Sequence, residues 1–511
     1  MVARADLPGS GPAGDRRRGH GDSGLDLHVR VLLTRAAAGR RDASRSDPAR
    51  PDPNGVSTVR ITDTNLPGND FPRQMAATRM DRSSPERGDS PAHVAFGGWN
   101  AGPVLGLDPR GSIGGLETFT CQFAAALADT GRYRVSVSVR VARRPRDVRW
   151  RSIRIDPFVE RLRDTRLAVS RSIERVPHFP WLRMRVWRTP LIWQVPTLAF
   201  AQLLGYRPHQ RLARHCVDRR PDVWVALGCS SESAVVVRSA VESGVPCALW
   251  LQSNADLDPR FFRDPSFVNA YGVRASDARD AVQCATWVVC QTDWQRERIE
   301  GLRTERNLVI RNPVEIAKWR AGTIDDAARR HVLWVGRYDR FHKRPLLGIE
   351  LARRTPGIPF VFVCGGGDPD VEAEVRRAIP PNGTIVERVA HERMPEQFAK
   401  ARLLLFTGSR EHEGFPNVLL ESAAAGVPIA SFDDFDRFLE RSGAGIVLDG
   451  EADQAARQVE SLWSDSTARA LMARRAARHL QREHDMRTAV AEFSLLLDAM
   501  IADRARATVS R

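Results

Sequence analysis

Short apolar segments alternate with helix-length segments along most of this chain, and the alternation runs twice. Strand-like segments lie at 93–97, 133–141, 223–227, 248–252 and 287–290. After Asn312 and Pro313 the alternation restarts, with strands at 332–336, 360–364, 403–406 and 428–431 and helices at 345–353, 370–378 and 417–425. Short strands separated by helices are typical of parallel sheets covered by helices. The sequence therefore predicts an α/β fold of two Rossmann-like domains with parallel sheets facing a central cleft, which is where a ligand should bind.

Length and composition divide the chain further. A chain of 511 residues is too long for one hydrophobic core. Its first part is rich in Arg, Asp, Gly, Pro and Ser, buries too little apolar area to offset its ordering entropy, and is expected to be disordered. Initiation at Met75 or Met80 would remove most of it. We predict a disordered extension at 1–91, Rossmann-like domains at 92–312 and 313–485, and a C-terminal helix and tail at 486–511.

The chain is strongly basic, with a formal net charge of +15. The basic residues are almost all arginine, and the three lysines are Lys318, Lys343 and Lys400. This pattern indicates a compositional preference for arginine that raises the charge everywhere without concentrating it on one face. Because no DNA- or RNA-binding signature accompanies the charge, we expect no specific nucleic-acid partner. A non-catalytic nucleic-acid or anion-binding protein remains the alternative from a different functional class.

Cysteine usage and hydropathy bear on the compartment. The seven cysteines include no Cys-x-x-Cys pair and mostly have apolar neighbours, which predicts reduced, buried thiols. There is neither an uninterrupted apolar stretch of about 18 residues nor an N-terminal signal core. We therefore expect a cytoplasmic protein.

The strongest chemical signal lies between Ser409 and Glu421. Two carboxylates, Glu413 and Glu421, stand eight residues apart and bracket a Gly-Phe-Pro turn and the start of a helix. The free N–H groups and positive dipole at a helix N-terminus suit sugar hydroxyls and phosphate oxygens. The alternative is a surface helix whose first turn favours glutamate.

This run, Glu-Gly-Phe-Pro-Asn-Val-Leu-Leu-Glu, resembles the Glu-x7-Glu motif of the family 4 glycosyltransferases, which are retaining enzymes of the GT-B fold. The resemblance implies that Glu413 faces the donor sugar and that Glu421 binds the nucleotide ribose. It also implies that the backbone of Phe415, Pro416 and Asn417 lines the sugar pocket.

Two further segments are similar to the same family. Arg337 and Lys343 follow a strand and precede a helix, so they are able to converge on a diphosphate, and the resemblance implies that they grip the donor diphosphate. Gly114 and Gly115 lie between a strand and a helix, where glycine lets the backbone approach a ligand closely. In the family the corresponding loop packs against donor phosphate and acceptor.

The resemblance implies a retaining hexosyltransferase that moves a sugar from a UDP- or GDP-linked donor to a glycan, lipid-linked or small-molecule acceptor, as in polysaccharide biosynthesis. The C-terminal domain then binds the nucleotide sugar and the N-terminal domain lies on the acceptor side. We expect no metal and no cofactor beyond this co-substrate. Cations and N–H dipoles aimed at the leaving diphosphate lower the barrier as its charge grows. A GT-B phosphorylase or a sugar-nucleotide epimerase is the alternative within enzymes.

The chain departs from the family pattern in two places. Where relatives often carry a histidine near the donor sugar, this chain has Gln252 and Asn254, and either is able to substitute by hydrogen bonding. Where relatives often have a Gly-Gly turn after the strand at 428–431, this chain has Phe-Asp-Asp-Phe-Asp at 432–436, in which Asp434 and Asp436 resemble a metal-binding Asp-x-Asp pair. We interpret them instead as an acidic cluster at the start of a helix.

Residues 181–211 combine aromatic and basic side chains. Tryptophan and arginine together suit the interface of an anionic membrane, so a peripheral contact at the inner face of the membrane through 181–211 is one interpretation. The other is an ordinary helical pair packed on the sheet.

Overall fold

The computed structural model describes residues 90–108, 114–175, 182–184, 187–269, 272–303, 305–320, 326–387, 389–411 and 413–509. The predictions of a disordered extension and of a start at Met75 or Met80 lie outside these residues. From Pro91 onward the chain belongs to a single compact unit.

Eight strands form the sheet of the N-terminal lobe, which comprises the described residues up to Asn312 and the last helix. Their order is β10-β9-β8-β7-β1-β2-β4-β3, and every pair is parallel except the antiparallel β3 and β4. β5 and β6 form a separate antiparallel hairpin. The strands are β1 (Ala92–Phe96), β2 (Tyr133–Val141), β3 (Arg149–Trp150), β4 (Ile153–Val159), β5 (Ile173–Arg175), β6 (Leu182–Met184), β7 (Val223–Leu227), β8 (Cys247–Trp250), β9 (Trp287–Cys290) and β10 (Asn307–Val309).

Helices cover this sheet because its central strands are apolar on both faces. All five residues of β7 are buried, as expected for a strand between two helical layers. The helices of the N-terminal lobe are α1 (Gly115–Asp129), α2 (Arg163–Ser172), α3 (Leu191–Leu203), α4 (Pro208–Arg219), α5 (Ser231–Glu242), α6 (Pro259–Arg263), α7 (Ala275–Cys284) and α8 (Asp293–Glu300).

The C-terminal lobe, residues 313–485, contains a six-stranded sheet in which all neighbours are parallel. Its order is β13-β12-β11-β14-β15-β16, so the chain leaves β11 in one direction and returns through β14 in the other. Ligands of such sheets bind at the carboxyl ends of the two strands where this reversal occurs. The strands are β11 (His331–Tyr338), β12 (Phe360–Gly367), β13 (Gly383–Glu387), β14 (Ala401–Phe406), β15 (Ile429–Ser431) and β16 (Gly445–Val447).

Alternate residues of this second sheet pack against different helical layers. Leu333 joins one cluster of buried side chains, whereas Val332 and Trp334 join the other. This alternation is the period of two of a β-strand. The helices are α9 (Ile316–Arg320), α10 (Pro345–Arg354), α11 (Pro369–Ala378), α12 (Met394–Lys400), α13 (Asn417–Ala424), α14 (Phe438–Ser442), α15 (Ala452–Ser464) and α16 (Ser466–Glu483).

The last helix, α17 (Met486–Val509), packs on the N-terminal lobe. The ring of Phe493 lies 5.0 Å from that of Trp250 and 5.4 Å from that of Phe123, centroid to centroid. The hydroxyl of Tyr133 donates to the Ser494 carbonyl over 3.1 Å. The chain therefore passes between the lobes twice.

The two passages lie side by side. Val314, in the first passage, forms an isolated parallel bridge with Asp485 in the second. Its backbone N–H donates to the carbonyl oxygen of His484 over 2.8 Å. Two adjacent backbone segments thus connect the lobes.

The helices that the structure describes include none that is both long and apolar enough to cross a membrane.

Candidate active site

Two of the predicted catalytic side chains meet at the carboxyl edge of the C-terminal sheet. Lys343 follows β11 and Glu413 follows β14, the two strands where the strand order reverses. Nζ of Lys343 lies 2.5 Å from Oε1 of Glu413, and the two side chains are only 20% and 12% exposed. The ammonium also lies 5.3 Å from the centroid of the Phe406 ring. The sequence predicted both residues, and the structure pairs them.

A hydrogen-bonded frame holds Lys343 in place. Nε1 of Trp334 donates to Oγ1 of Thr407 over 2.8 Å, and the Thr407 hydroxyl donates to the Lys343 carbonyl over 2.5 Å. Nη2 of Arg344 donates to the Gly408 carbonyl over 2.8 Å. Arg344 has a φ of 47°, a left-handed conformation that is uncommon outside glycine and asparagine. The chain thus turns sharply after Lys343, and Arg344 ties that turn to the end of β14.

Arg337 lies at the end of β11 and interacts electrostatically with the N-terminal lobe. Burial raises the pKa of the Glu117 carboxyl in the first turn of α1, and the backbone N–H of Glu117 and the charge of Arg337 oppose that rise. Glu117 follows the predicted Gly114 and Gly115, of which Gly115 is exposed. A Cβ at Gly115 would lie 3.9 Å from Nδ2 of Asn417. The predicted glycine loop therefore faces the predicted donor residues.

Gly414 lies where the backbones of the two lobes come close together. A Cβ at this position would lie 2.7 Å from the carbonyl oxygen of Gln252 and 3.0 Å from Cα of Ser253. Contacts below 3.0 Å with backbone atoms are not relieved by turning a side chain. Glycine is therefore required here for the backbones of the two lobes to meet.

Glu421 contacts a histidine that the sequence did not single out. Nε2 of His391 lies 3.1 Å from Oε1 of Glu421, and Nδ1 lies 3.2 Å from Nζ of Lys318. Because an ammonium only donates, Nδ1 accepts from Lys318 and Nε2–H donates to Glu421. Nδ1 also lies 3.3 Å from Nε2 of Gln122 in α1. His391 thus joins α1 of the N-terminal lobe to α9 and α13 of the C-terminal lobe, beside the predicted ribose-binding carboxylate.

A buried asparagine fixes the loop between the two glutamates. Nδ2 of Asn312 donates to Oδ1 of Asn417 over 2.9 Å and to the Phe415 carbonyl over 3.3 Å. Nδ1 of His484 donates to the Asn312 carbonyl over 2.7 Å, and its ring stacks on that of Phe415 at 5.7 Å. Pro416, which lies between Phe415 and Asn417 in the sequence, is buried. Asn312 and His484, one in each passage between the lobes, therefore position the predicted sugar pocket.

The buried histidine predicts a dependence of stability on pH. Burial lowers the pKa of His484 from 6.5 to about 3, so the folded protein holds it neutral where the unfolded chain protonates it. At pH values between these two pKa values the unfolded state binds more protons than the folded state. The free energy of unfolding therefore falls as the pH drops below about 6.5. The contribution of His484 is at most about 1.4 kcal/mol per pH unit. Urea unfolding of the wild type and of His484→Gln between neutral and mildly acidic pH measures it. Equal slopes for the two proteins would show that His484 titrates normally.

Gln252 and Asn254, which stand near the family's histidine position, each have a hydrogen-bond partner. Oε1 of Gln252 accepts from Nε2 of Gln291 over 3.2 Å, and Oδ1 of Asn254 accepts from Nε2 of Gln295 over 3.4 Å. Both side chains are thus bound within the N-terminal lobe. It is the Gln252 carbonyl that faces Gly414.

The two aspartates after β15 have separate roles. Oδ1 of Asp434 accepts from the Leu439 N–H over 2.8 Å, and Oδ2 accepts from the Glu440 N–H over 3.1 Å. Asp436 forms an ion pair with Arg311, and burial raises its pKa to about 6. Asp434 therefore binds the start of α14, as expected for an acidic residue at a helix start.

Two Rossmann-like lobes with parallel sheets and a shared site between them define the GT-B fold of glycosyltransferases. Residues 329–465, within the C-terminal lobe, match the family described as glycosyl transferases group 1. The match includes Arg337, Lys343, Glu413 and Glu421. No curated protein matches the chain in sequence.

Solved GT-B structures resemble the chain over most of its length. HepE of Anabaena, in complex with UDP-glucose, is 15% identical and covers 80% of this chain and 100% of its own, with a TM-score of 0.55. Sucrose-phosphate synthase of Thermosynechococcus elongatus is 15% identical and covers 81% and 100%, with a TM-score of 0.53. The N-terminal domain of Candida albicans trehalose-6-phosphate phosphatase is 11% identical and covers 82% and 98%, with a TM-score of 0.58. At these identities the likeness is one of fold.

Proposed function

We propose that the protein is a retaining glycosyltransferase of family 4 that transfers a hexosyl group from a UDP- or GDP-sugar to a glycan, lipid-linked or small-molecule acceptor. The observation that carries this proposal is the pairing of Lys343 with Glu413 at the point where the strand order of the C-terminal sheet reverses. HepE, whose structure was solved with UDP-glucose, has the same fold and supports a UDP-sugar as the first donor to test.

The proposed reaction depends on charge at the leaving group. As the bond between the sugar C1 and the diphosphate oxygen breaks, negative charge grows on the phosphate. Lys343 and Arg337 stabilise it, together with the N–H groups at the start of α13. The acceptor oxygen bonds to C1 on the same face, and its proton passes to the departing phosphate oxygen. In this scheme no divalent ion is required.

Glu413 orients the sugar and Lys343 rather than acting as a nucleophile. Its carboxylate is paired with an ammonium at 2.5 Å, which holds negative charge beside the donor sugar. The same pairing fixes the ammonium before the donor arrives, and a preorganised charge stabilises the transition state without reorganisation.

Product analysis separates this function from its alternatives. The protein is incubated with UDP- and GDP-hexoses and a set of sugar and lipid acceptors, and products are identified by mass spectrometry. A glycosylated acceptor with the donor's anomeric configuration supports the proposal. Sugar phosphate indicates a phosphorylase, and an isomerised sugar nucleotide indicates an epimerase. Salt-sensitive DNA binding, with no rise in melting temperature on adding any sugar nucleotide, indicates the non-catalytic alternative.

Glu421→Ala is expected to raise the Michaelis constant for the donor by roughly tenfold or more while lowering turnover less. A hydrogen bond to a charged group contributes about 1.5 to 3 kcal/mol, and a ribose contact is made in both ground and transition states. The control is Glu392→Ala, which removes an exposed carboxylate next to His391. A loss confined to turnover would contradict a role in nucleotide binding.

A further inference from the structure

Helix α3 presents an apolar face to solvent. Five large side chains on it or at its C-terminal cap are at least 58% exposed: Ile192, Trp193, Phe200, Leu203 and Leu204. At 100° per residue they occupy one side of the helix, while Leu191 and Leu198 on the opposite side are buried. The helix therefore packs one face against the rest of the protein and leaves a second apolar face exposed in the described part of the structure.

This face is unusual for the molecule. With Trp187, 61% exposed, it holds the six most exposed large hydrophobic side chains of the described chain, all between residues 187 and 204. A concentrated apolar patch of this kind marks a binding surface, whereas single exposed hydrophobic residues are normal. We call the exposed side of residues 187–204 the α3 face.

The stretch of sequence that contains the α3 face carries only positive charge. Between residues 175 and 217 the sequence contains seven arginines and no aspartate or glutamate. Arg183, Arg188 and Arg207 are exposed on the described part of this stretch. Two copies of the chain meeting through this face would bring like charges together. A nucleic-acid backbone is also excluded as the partner by exposed aliphatic side chains such as Leu203 and Leu204, which make no favourable contacts with charged phosphates.

The chain immediately after the α3 face is hydrogen-bonded to the carboxyl end of strand β4 in the N-terminal sheet. The hydroxyl of Tyr206, just after α3, donates to Oε1 of Glu160 over 2.5 Å. Nη2 of Arg211 donates to the Val159 carbonyl over 3.3 Å. Val159 ends β4 and Glu160 follows it, so these bonds lie at the carboxyl edge of the sheet. The chain that leads from β1 to Gly114 and Gly115 starts at this same carboxyl edge, because β1 and β4 are both parallel to β2.

We propose that the α3 face docks on an anionic lipid bilayer, with its aromatic and aliphatic side chains in the headgroup region and its arginines against the lipid phosphates. Aromatic and aliphatic side chains flanked by arginine are the composition of helices that lie in a membrane interface. Docking orients the carboxyl edge of the sheet, where the acceptor enters in the proposed function, relative to the bilayer. A lipid-linked acceptor would follow from that placement and rests on the proposed glycosyl transfer.

Flotation with vesicles tests the docking without any donor. The full chain is mixed with vesicles of phosphatidylcholine alone or with phosphatidylglycerol added. We expect co-flotation with the anionic vesicles only, weakening as salt increases. The triple variant Trp193→Ser, Phe200→Ser, Leu203→Ser should bind the anionic vesicles at least about tenfold more weakly, since it removes three of the six exposed apolar side chains that would enter the bilayer. The matched control is Trp294→Ser, which removes a tryptophan 41% exposed on α8 and should float as the wild type does.

Other outcomes overturn the proposal. They are absence of flotation with anionic vesicles, unchanged flotation of the triple variant, or a dimer that the triple variant converts to monomer. If the triple variant does not fold, Arg183→Gln with Arg188→Gln supplies the test, and it should reduce flotation at low salt only. Transfer to a water-soluble acceptor should be equal in wild type and variants. Flotation without transfer to any acceptor would refute the proposed function and leave the docking intact.

Discussion

Lys343→Ala is expected to lower turnover by roughly 10²- to 10³-fold, about 3 to 4 kcal/mol of transition-state stabilisation. The Lys343 side chain is mostly buried, and its ammonium lies 2.5 Å from Glu413. The backbone carbonyl of Lys343 accepts a hydrogen bond from the Thr407 hydroxyl, which holds the residue in place. Such a preorganised charge acts most strongly when the diphosphate departs. The fold should persist, because Lys343 lines the site and belongs to neither core cluster. Steady-state kinetics on a confirmed donor measure the effect.

The chain provides a control in Lys400→Ala, which removes an exposed lysine at the end of α12. Its turnover should match the wild type, and its melting temperature gives the baseline for loss of one lysine. Near-normal turnover of Lys343→Ala would mean that the diphosphate binds elsewhere and that the catalytic assignment in the C-terminal lobe is wrong.

Gly414→Ala is expected to lower kcat/KM by about 100-fold. The added Cβ would lie 2.7 Å from the Gln252 carbonyl oxygen, so the two lobes must move apart beside Glu413. A displacement of about 1 Å at a reacting centre is enough for a loss of this size. The melting temperature should change little, since the strain is relieved by separating surfaces instead of by opening a core.

Gly357→Ala is the matched control for this prediction. A Cβ at Gly357 would meet no described atom within 4 Å, and the residue lies in the same lobe away from the site. Its kinetics should equal those of the wild type. If Gly414→Ala retains full activity, the contact between Gly414 and the Gln252 backbone is not part of the catalytically active arrangement.

The sequence predicted the fold class because its central strands are continuous apolar runs. β7 and β9 have the bounds expected from the pattern. β4 was missed because its residues include Asp156, which is buried and pairs with Arg219 and His215 of α4 at 2.6 and 3.1 Å. A polar residue stabilised by partners about 60 positions away breaks the local pattern of a strand.

In the candidate site, too, residues in local motifs were predicted and residues that act through distant contacts were missed. Lys343, Glu413 and Glu421 were predicted from local motifs that the structure keeps together within one lobe. Asn312 was outside those motifs, although it binds Asn417 from 105 positions away. His391 was missed because its role depends on three helices, α1, α9 and α13, that contact one imidazole ring. These helices are far apart in the sequence, so no residue spacing within a single segment predicts the contact.

The return of α17 to the N-terminal lobe constrains the order in which the protein folds during synthesis. Phe493 packs against Phe96, Phe123 and Trp250, so the core of the first lobe stays incomplete until residues 486–509 have left the ribosome. The C-terminal sheet needs only residues between 331 and 447 and is complete earlier. Domains usually fold in the order of their synthesis. Here the lobe that begins first finishes last, and its unfinished apolar surface is exposed to chaperones throughout translation of the second.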